Sequence, residues 1–200
     1  KYGITRFVFG STVDALGFHP DDENPVDENA QILPTDFYGE TKRFVEKLGL
    51  AYRQIYGLEF IINRIPFIVG PGFATPTSAW RMDIFNLLVS GGEIDFGFVP
   101  EAPIPVSHVL DSALATNVLA TAKTVPHDTY HLPNESIKMK DLAEFVQHLG
   151  NQITIKYGSK KPDFYPTSVD HTRFDSDFDF KHTSLFTRLE QHKKFLEKNS

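Results

Sequence analysis

Short apolar runs and amphipathic stretches alternate along this chain. Arg6-Phe7-Val8-Phe9 is an apolar run closed by Gly10, as in a buried strand. Phe18 to Asp36 is rich in Asp, Glu, Asn and Pro and predicts a polar loop. From Tyr38 to Tyr56 the apolar positions Phe44, Val45, Leu48, Ala51, Tyr52 and Ile55 recur at helical spacing. Thr35 or Asp36 can cap that helix and Gly57 can end it. Glu59 to Ile65 is β-branched and apolar, a second buried strand, and Gly70-Pro71-Gly72 breaks it into a loop.

The second half continues the alternation. The pattern predicts a helix from Pro76 to a stop at Gly91-Gly92, short strands over Ile94–Phe98 and Ile104–Ser107, and a helix over His108–Ala122 along Val109, Ala113, Thr116, Val118 and Ala120. A brief strand at Tyr130–Leu132, a helix capped by Ser136 and ending near Gly150, and a strand at Ile153–Tyr157 come next. Residues 158–182 read as Pro- and Asp-rich loop, and Thr183–Lys198 as a terminal amphipathic helix. Strands alternating with helices predict an α/β fold with parallel strands.

Composition narrows the partners. Two hundred residues suffice for a real core, and 40% hydrophobic with 23% charged residues is ordinary for a soluble globular protein. A net charge of −6 gives no electrostatic footprint for nucleic acid or an anionic membrane. No apolar run approaches the roughly 20 residues of a membrane span, and no signal peptide opens the chain. Cysteine is absent, which excludes disulfides and thiolate chemistry and fits a reducing, cytoplasmic compartment. The 18 Phe residues imply bulky packing and apolar surface for a partner to cover. The chain opens at Lys1 within what reads as a helix end followed by a strand, so a truncated protein is expected.

Three residues stand out as chemistry. Tyr38 and Lys42, four apart on a helix, lie on one face. A phenol with a pKa of about 10 is a poor base at neutral pH, and a neighbouring ammonium is expected to lower that value. Tyr38 can then take a proton from a hydroxyl or return it to a carbonyl. Thr12, at the C-terminal end of a strand where open α/β sheets bind ligands, can hydrogen-bond the same oxygen. Tyr-x-x-x-Lys alone arises by chance in a chain with 7 Tyr, so the ordered context must carry the reading.

That context is RFVFGST, PTDFYGETK, GLEFIINRIPFIVGPG, IPVSHVLDSA and YHLPNESIKMKDLAEF, in this order. Together they resemble the extended short-chain dehydrogenase/reductase family, the NAD-dependent sugar epimerases and dehydratases. The resemblance implies part of a doubly wound Rossmann-like parallel sheet with a small C-terminal α/β substrate-binding region, divided as 1–72 and 73–200, with some later segments returning to the sheet. It implies Thr12 as catalytic Ser/Thr, Tyr38 as acid/base and Lys42 as the cofactor-ribose lysine. Gly10 and Ser11 fall beside the cofactor, and Ile65, Pro66 and Phe67 fall on the segment against the nicotinamide. Thr12, Val13, Asp14 and Trp80 fall near substrate, although Asp14 also reads as a turn residue and Trp80 as core or partner packing. A homodimer through the Tyr38/Lys42 helix follows from the same resemblance.

Two departures qualify it. The Gly-rich turn that seats a pyrophosphate precedes the catalytic strand by about half a domain in the family, and Thr12 has only eleven residues before it, so NAD and NADP are not distinguished. The Arg expected before the His-Val-x-Asp segment is missing from Phe98–Pro103, and none is evident near Lys160-Lys161-Pro162-Asp163. Those lysines would clamp phosphates less specifically. That shifts the expected substrate from a nucleotide-diphosphate sugar toward a smaller sugar, sugar acid or hydroxy acid. Leu16, where many members carry an aromatic, leans the same way.

Other constellations read as structural. His127-x-x-x-His131 straddles a loop and a strand, Asp175-x-Asp177-x-Asp179 lacks the Gly and Glu of a calcium loop, His108 starts a helix, and Asp21-Asp22-Glu23 is an exposed loop. The reading is an NAD(P)-dependent epimerase, dehydratase or dehydrogenase of a sugar-like hydroxyl compound, inactive as this chain alone. The alternative is a non-catalytic interaction module on the same fold.

Overall fold

The computed structural model describes residues 3–19, 25–72, 75 and 78–199. In chain order its strands are β1 (Arg6–Thr12), β2 (Glu59–Ile65), β3 (Phe67–Val69), β4 (Gly92–Asp95), β5 (Pro103–His108), β6 (Thr129–His131), β7 (Glu135–Lys138) and β8 (Ile153–Lys156). Its helices are α1 (Phe37–Tyr56), α2 (Trp80–Ser90), α3 (Val109–Thr121), α4 (Met139–Leu149), α5 (Thr172–Phe178) and α6 (Leu185–Asn199).

β1, β2 and β6 form one parallel sheet in that order, with β1 paired to β2 without interruption from Arg6 opposite Glu59 to Thr12 opposite Ile65. Alternate side chains point to opposite faces. One face meets α1, where Gly49 lies so close to the Phe60 ring that a Cβ would stand 2.1 Å from it. The other face packs Ile61 and Tyr130 against Ala115 and Leu119 of α3 and Phe174 of α5. The sheet is thus the middle layer of a sandwich, as in doubly wound α/β folds.

After β2 the chain leaves this sheet at Pro66, and β3 joins a second sheet in the order β3-β5-β7. β5 runs parallel to β3 and antiparallel to β7, and β4 pairs in parallel with β8 apart from both. A second core of Phe85, Leu88, Ile104, Val106, Leu142 and Val146 lies among these strands, α2 and α4. Arg188 of α6 donates twice to buried Asp111 of α3, tying the last helix to both halves.

Several local expectations change. The start expected at Pro76 and the Asp21-Asp22-Glu23 loop lie outside the described residues. The strand expected over Ile94–Phe98 is β4, two residues earlier, because Gly92–Asp95 is the stretch that finds β8. Ser136 does not cap a helix: it sits in β7 opposite Pro105, its hydroxyl donating to the Thr167 carbonyl at 2.6 Å, and α4 starts at Met139 without a side-chain cap. The stretch read as loop over 158–182 contains α5, drawn into helix by burial of Phe174 against Tyr130 and Phe178. The terminal helix begins at Leu185 rather than Thr183, whose N–H donates instead to Asp111.

Candidate active site

Thr12 ends β1 and initiates a single 3-10 turn over Val13–Ala15, its hydroxyl accepting from the Asp14 N–H at 3.2 Å. Asp36 caps α1 by accepting from the Gly39 N–H at 2.6 Å, and Gly57, left-handed at φ 68°, ends it. Gly39 explains how the two elements meet. A Cβ there would stand 2.7 Å from the Asp14 carbonyl, so the missing side chain lets the first turn of α1 rest on the 3-10 turn. Tyr38 is thereby delivered beside Thr12.

The result is a cleft of about 610 Å³, within the usual range of small-molecule sites. Gly10, Ser11, Thr12, Val13 and Asp14 line one wall, Tyr38 and Lys42 a second, and Ile65, Pro66 and Phe67 a third. Ten of the eleven side chains or backbone positions singled out in the sequence therefore share one cavity. The eleventh, Trp80, turns away. It is 4% exposed with its ring 5.3 Å from Phe96 in the second core, and it borders a separate surface hollow with Asp95 and Lys160.

The neighbouring Arg81 takes the place in the cleft that the sequence reading left to Trp80. Its guanidinium lies 4.4 Å over the Phe67 ring, and its buried Nε has no hydrogen-bond partner among the described residues. The sequence pattern points instead to an arginine in the loops near residues 98 and 160, where none stands. A signal existed: Arg81 is the only Lys or Arg between Arg64 and Lys123. Ser78 and Thr75, also lining the cleft, carried no such signal.

The electrostatics differ from expectation at Tyr38. Its phenol is raised, not lowered, by burial first and then by the Asp14 carboxylate, while the Thr12 hydrogen bond and Arg81 pull the other way. Lys42 points past it: Nζ donates to the Gly10 carbonyl at 2.7 Å and stands 5.7 Å from the Tyr38 ring centre. Burial, reinforced by Asp36 and opposed by Arg81, pushes the Asp14 carboxyl up to about 6. Arg81 is lowered by burial, with Asp14, Tyr165 and Tyr38 opposing that. The cleft thus holds an acid poised near neutrality, a protonated phenol and two cations.

Other candidates fall outside it. Leu16 is buried with Val13, Val26 and Val169. His108 caps α3, its Nδ1 accepting from the Leu110 N–H at 3.2 Å. His131 is enclosed in the parallel sheet, and Asp177 accepts from the Tyr130 hydroxyl at 2.7 Å. Among the described residues no three metal-ligating side chains gather.

Asp14 makes stability depend on pH. Because its folded-state pKa is raised from 3.8 to about 6, ionising it opposes folding, and stability falls as pH rises through that interval. At about 1.36 kcal/mol per unit the cost at high pH is about 3 kcal/mol. Asp14→Asn is expected to exceed the parent by up to about that amount in urea unfolding at pH 8, with most of the gap gone by pH 4. An equal gap at both values would show that Asp14 is not the source.

Comparison with known proteins agrees with this architecture. Residues 1–90 match the NAD dependent epimerase/dehydratase family. A uronate dehydrogenase of Pseudomonas putida is 33% identical over 76 residues, 38% of this chain and 26% of that protein. A putative UDP-glucose 4-epimerase of Methanocaldococcus jannaschii is 33% identical over 99 residues, 48% of this chain and 32% of that protein. The matched stretches thus span about a third or less of these relatives. The crystal structure of L-threonine dehydrogenase from Phytophthora infestans superimposes with a TM-score of 0.81 at 22% identity, covering 98% of this chain and 66% of that one, and establishes the fold. Residues 1–90, which match the NAD dependent epimerase/dehydratase family, contain Thr12, Tyr38, Lys42 and the Ile65–Phe67 wall of the cleft.

Proposed function

We propose that the full-length protein is an NAD-dependent oxidoreductase that interconverts a secondary hydroxyl and a carbonyl on a small, sugar-like substrate bearing a carboxylate. The observation that carries this reading is the meeting of Thr12, Tyr38 and Lys42 in one cleft that Arg81 also enters. A guanidinium with an unpartnered buried Nε is suited to a carboxylate, which it can bind through two parallel hydrogen bonds. The similarity to a uronate dehydrogenase, whose name denotes a sugar acid, supports the substrate class.

The residues present fit the nicotinamide-ribose end of the cofactor. Lys42 uses one ammonium proton on Gly10 and keeps two donors for ribose hydroxyls, and Pro66 and Phe67 offer a flat apolar wall. No Gly-x-x-Gly-x-x-Gly turn for the pyrophosphate occurs in the 200 residues. When bound, the nicotinamide supplies hydride exchange at the carbon bearing the reacting oxygen. Thr12 aligns that oxygen. Tyr38, protonated at neutral pH, donates to a carbonyl oxygen or, in the reverse direction, accepts the hydroxyl proton. Because the Asp14 carboxylate raises the phenol, Tyr38 gives up its proton more readily when Asp14 is neutral. Arg81 fixes the substrate's charged end.

Assembly belongs to the same reading. We propose that α1 packs against α1 of a second copy, which the family resemblance implies and the exposure of Phe44 and Ile55, at 65% and 68%, supports. Sedimentation of the full-length protein is expected to give a dimer that Phe44→Glu splits; a monomeric parent would remove the proposal.

Two substitutions test the chemistry in the full-length polypeptide. Tyr38→Phe is expected to lower kcat by about 10²- to 10⁴-fold with unchanged melting. Retained turnover would exclude Tyr38 as the proton carrier, and absence of both turnover and NAD binding in the parent would favour a non-catalytic module. Arg81→Leu is expected to raise KM for a uronate or hydroxy acid by about tenfold or more while sparing NAD binding. An unchanged KM would exclude the carboxylate.

A further inference from the structure

Beneath the cleft lies a chain of buried polar side chains that the proton chemistry does not use. Register places Ser11, Arg64 and His131 in one row across β1, β2 and β6, on the face that α1 covers. Glu46 of α1 descends onto that row. Its carboxylate accepts from the Ser11 hydroxyl at 2.5 Å and from Arg64 at 3.1 Å through Nε and 2.9 Å through a terminal nitrogen. The Glu46 and Arg64 side chains are each only 3% exposed. The other Arg64 terminal nitrogen donates to His131 Nε2 at 3.4 Å, which makes Nδ1 the protonated nitrogen, facing the Asp170 carbonyl at 3.0 Å.

Stability alone is a weak reason for this arrangement, since a buried ion pair is often matched or exceeded by apolar residues of the same volume. Its location says more. The far half of α1 rests on an apolar contact, Gly49 against Phe60. The half nearer the cleft rests on the ion pair. Apolar contact tolerates sliding, whereas paired hydrogen bonds fix distance and direction. Tyr38, Lys42 and Glu46 recur every four residues on one face of α1, and Ser11 directly precedes Thr12. Arg64 is two residues before Pro66 on the third wall. One carboxylate therefore ties together all three walls that carry the candidate chemistry.

We propose that Glu46 is a positioning residue: held by Arg64 and holding Ser11, it fixes α1 against the end of β1 so that the Tyr38 phenol meets the Thr12 hydroxyl. The proposal rests on the reading of Tyr38 as the proton carrier for its kinetic consequence, but its geometric content stands apart from turnover.

The test uses the full-length polypeptide with tyrosines labelled at 13Cζ, the Tyr38 resonance being assigned by its loss in Tyr38→Phe. Glu46→Leu combined with Arg64→Met removes both charges together and avoids an unpaired buried ion. Expected are a melting temperature close to the parent, a displaced Tyr38 resonance, and a kcat lower by about tenfold to a hundredfold with KM little changed. A folded double variant with the parental Tyr38 resonance overturns the proposal. A displaced resonance in a protein whose turnover Tyr38→Phe does not affect would uphold the positioning and refute the catalytic reading. Should the double variant not fold, Ser11→Ala, which leaves the ion pair intact, decides by the same resonance: displacement supports the tie through Ser11, and no displacement overturns it.

Discussion

The unbroken parallel register of β1 against β2 is the constraint on which the rest of the site depends. Seven consecutive pairs, ending with Thr12 opposite Ile65, bring both strands out of the sheet at the same level. One chain turns there into the 3-10 turn that carries Asp14, and the other leaves at Pro66 for the second sheet. The cleft is the space between these departures. A slip of one residue would send Ser11 and Thr12 to exchanged faces, since side chains alternate along a strand. Thr12 would then lose Tyr38, and Arg64 would no longer lie beside Ser11.

The helix that crosses this edge is held at two points of different chemistry. At Gly49 the contact is aromatic and shape-determined; at Glu46 it is ionic and directional. At its start, the missing side chain of Gly39 allows an approach to the Asp14 carbonyl that no other residue type would permit. Close approach, apolar docking and directional pairing thus follow one another along α1. The residues facing the cleft occupy the stretch between the close approach and the ion pair.

Charge in the cleft is organised by burial more than by pairing. Asp14, Tyr38 and Arg81 are all shifted toward their neutral forms with burial as the first cause, and each has at least one of the others among its perturbing charges. Such mutual shifts mark sites where proton positions depend on what binds. Arg81 stacks on Phe67 while its buried Nε lacks a partner among the described residues, so the cleft holds a cationic donor suited to an anion.

Much of this was legible in the sequence wherever the cause is local. The period of apolar residues, Asp36 and Gly57 as caps, and the order of Thr12, Tyr38 and Lys42 within familiar segments all depend on residues near one another in the chain. The pieces that escaped depend on distant partners. β7 exists because β5 pairs with it, and α5 because Phe174 finds Tyr130. Arg81 enters the cleft because the second core draws Trp80 to the opposite side of α2. Lys42 fails to lower the Tyr38 phenol because its ammonium is drawn to the Gly10 carbonyl, which the sequence places far from it. The sequence by itself determined the α/β alternation, the capped helix that carries Tyr38 and Lys42, and the candidate triplet. Only the tertiary structure decided which cation faces the cleft and which way the phenol shifts, because burial and charge proximity are set by packing between segments far apart along the chain.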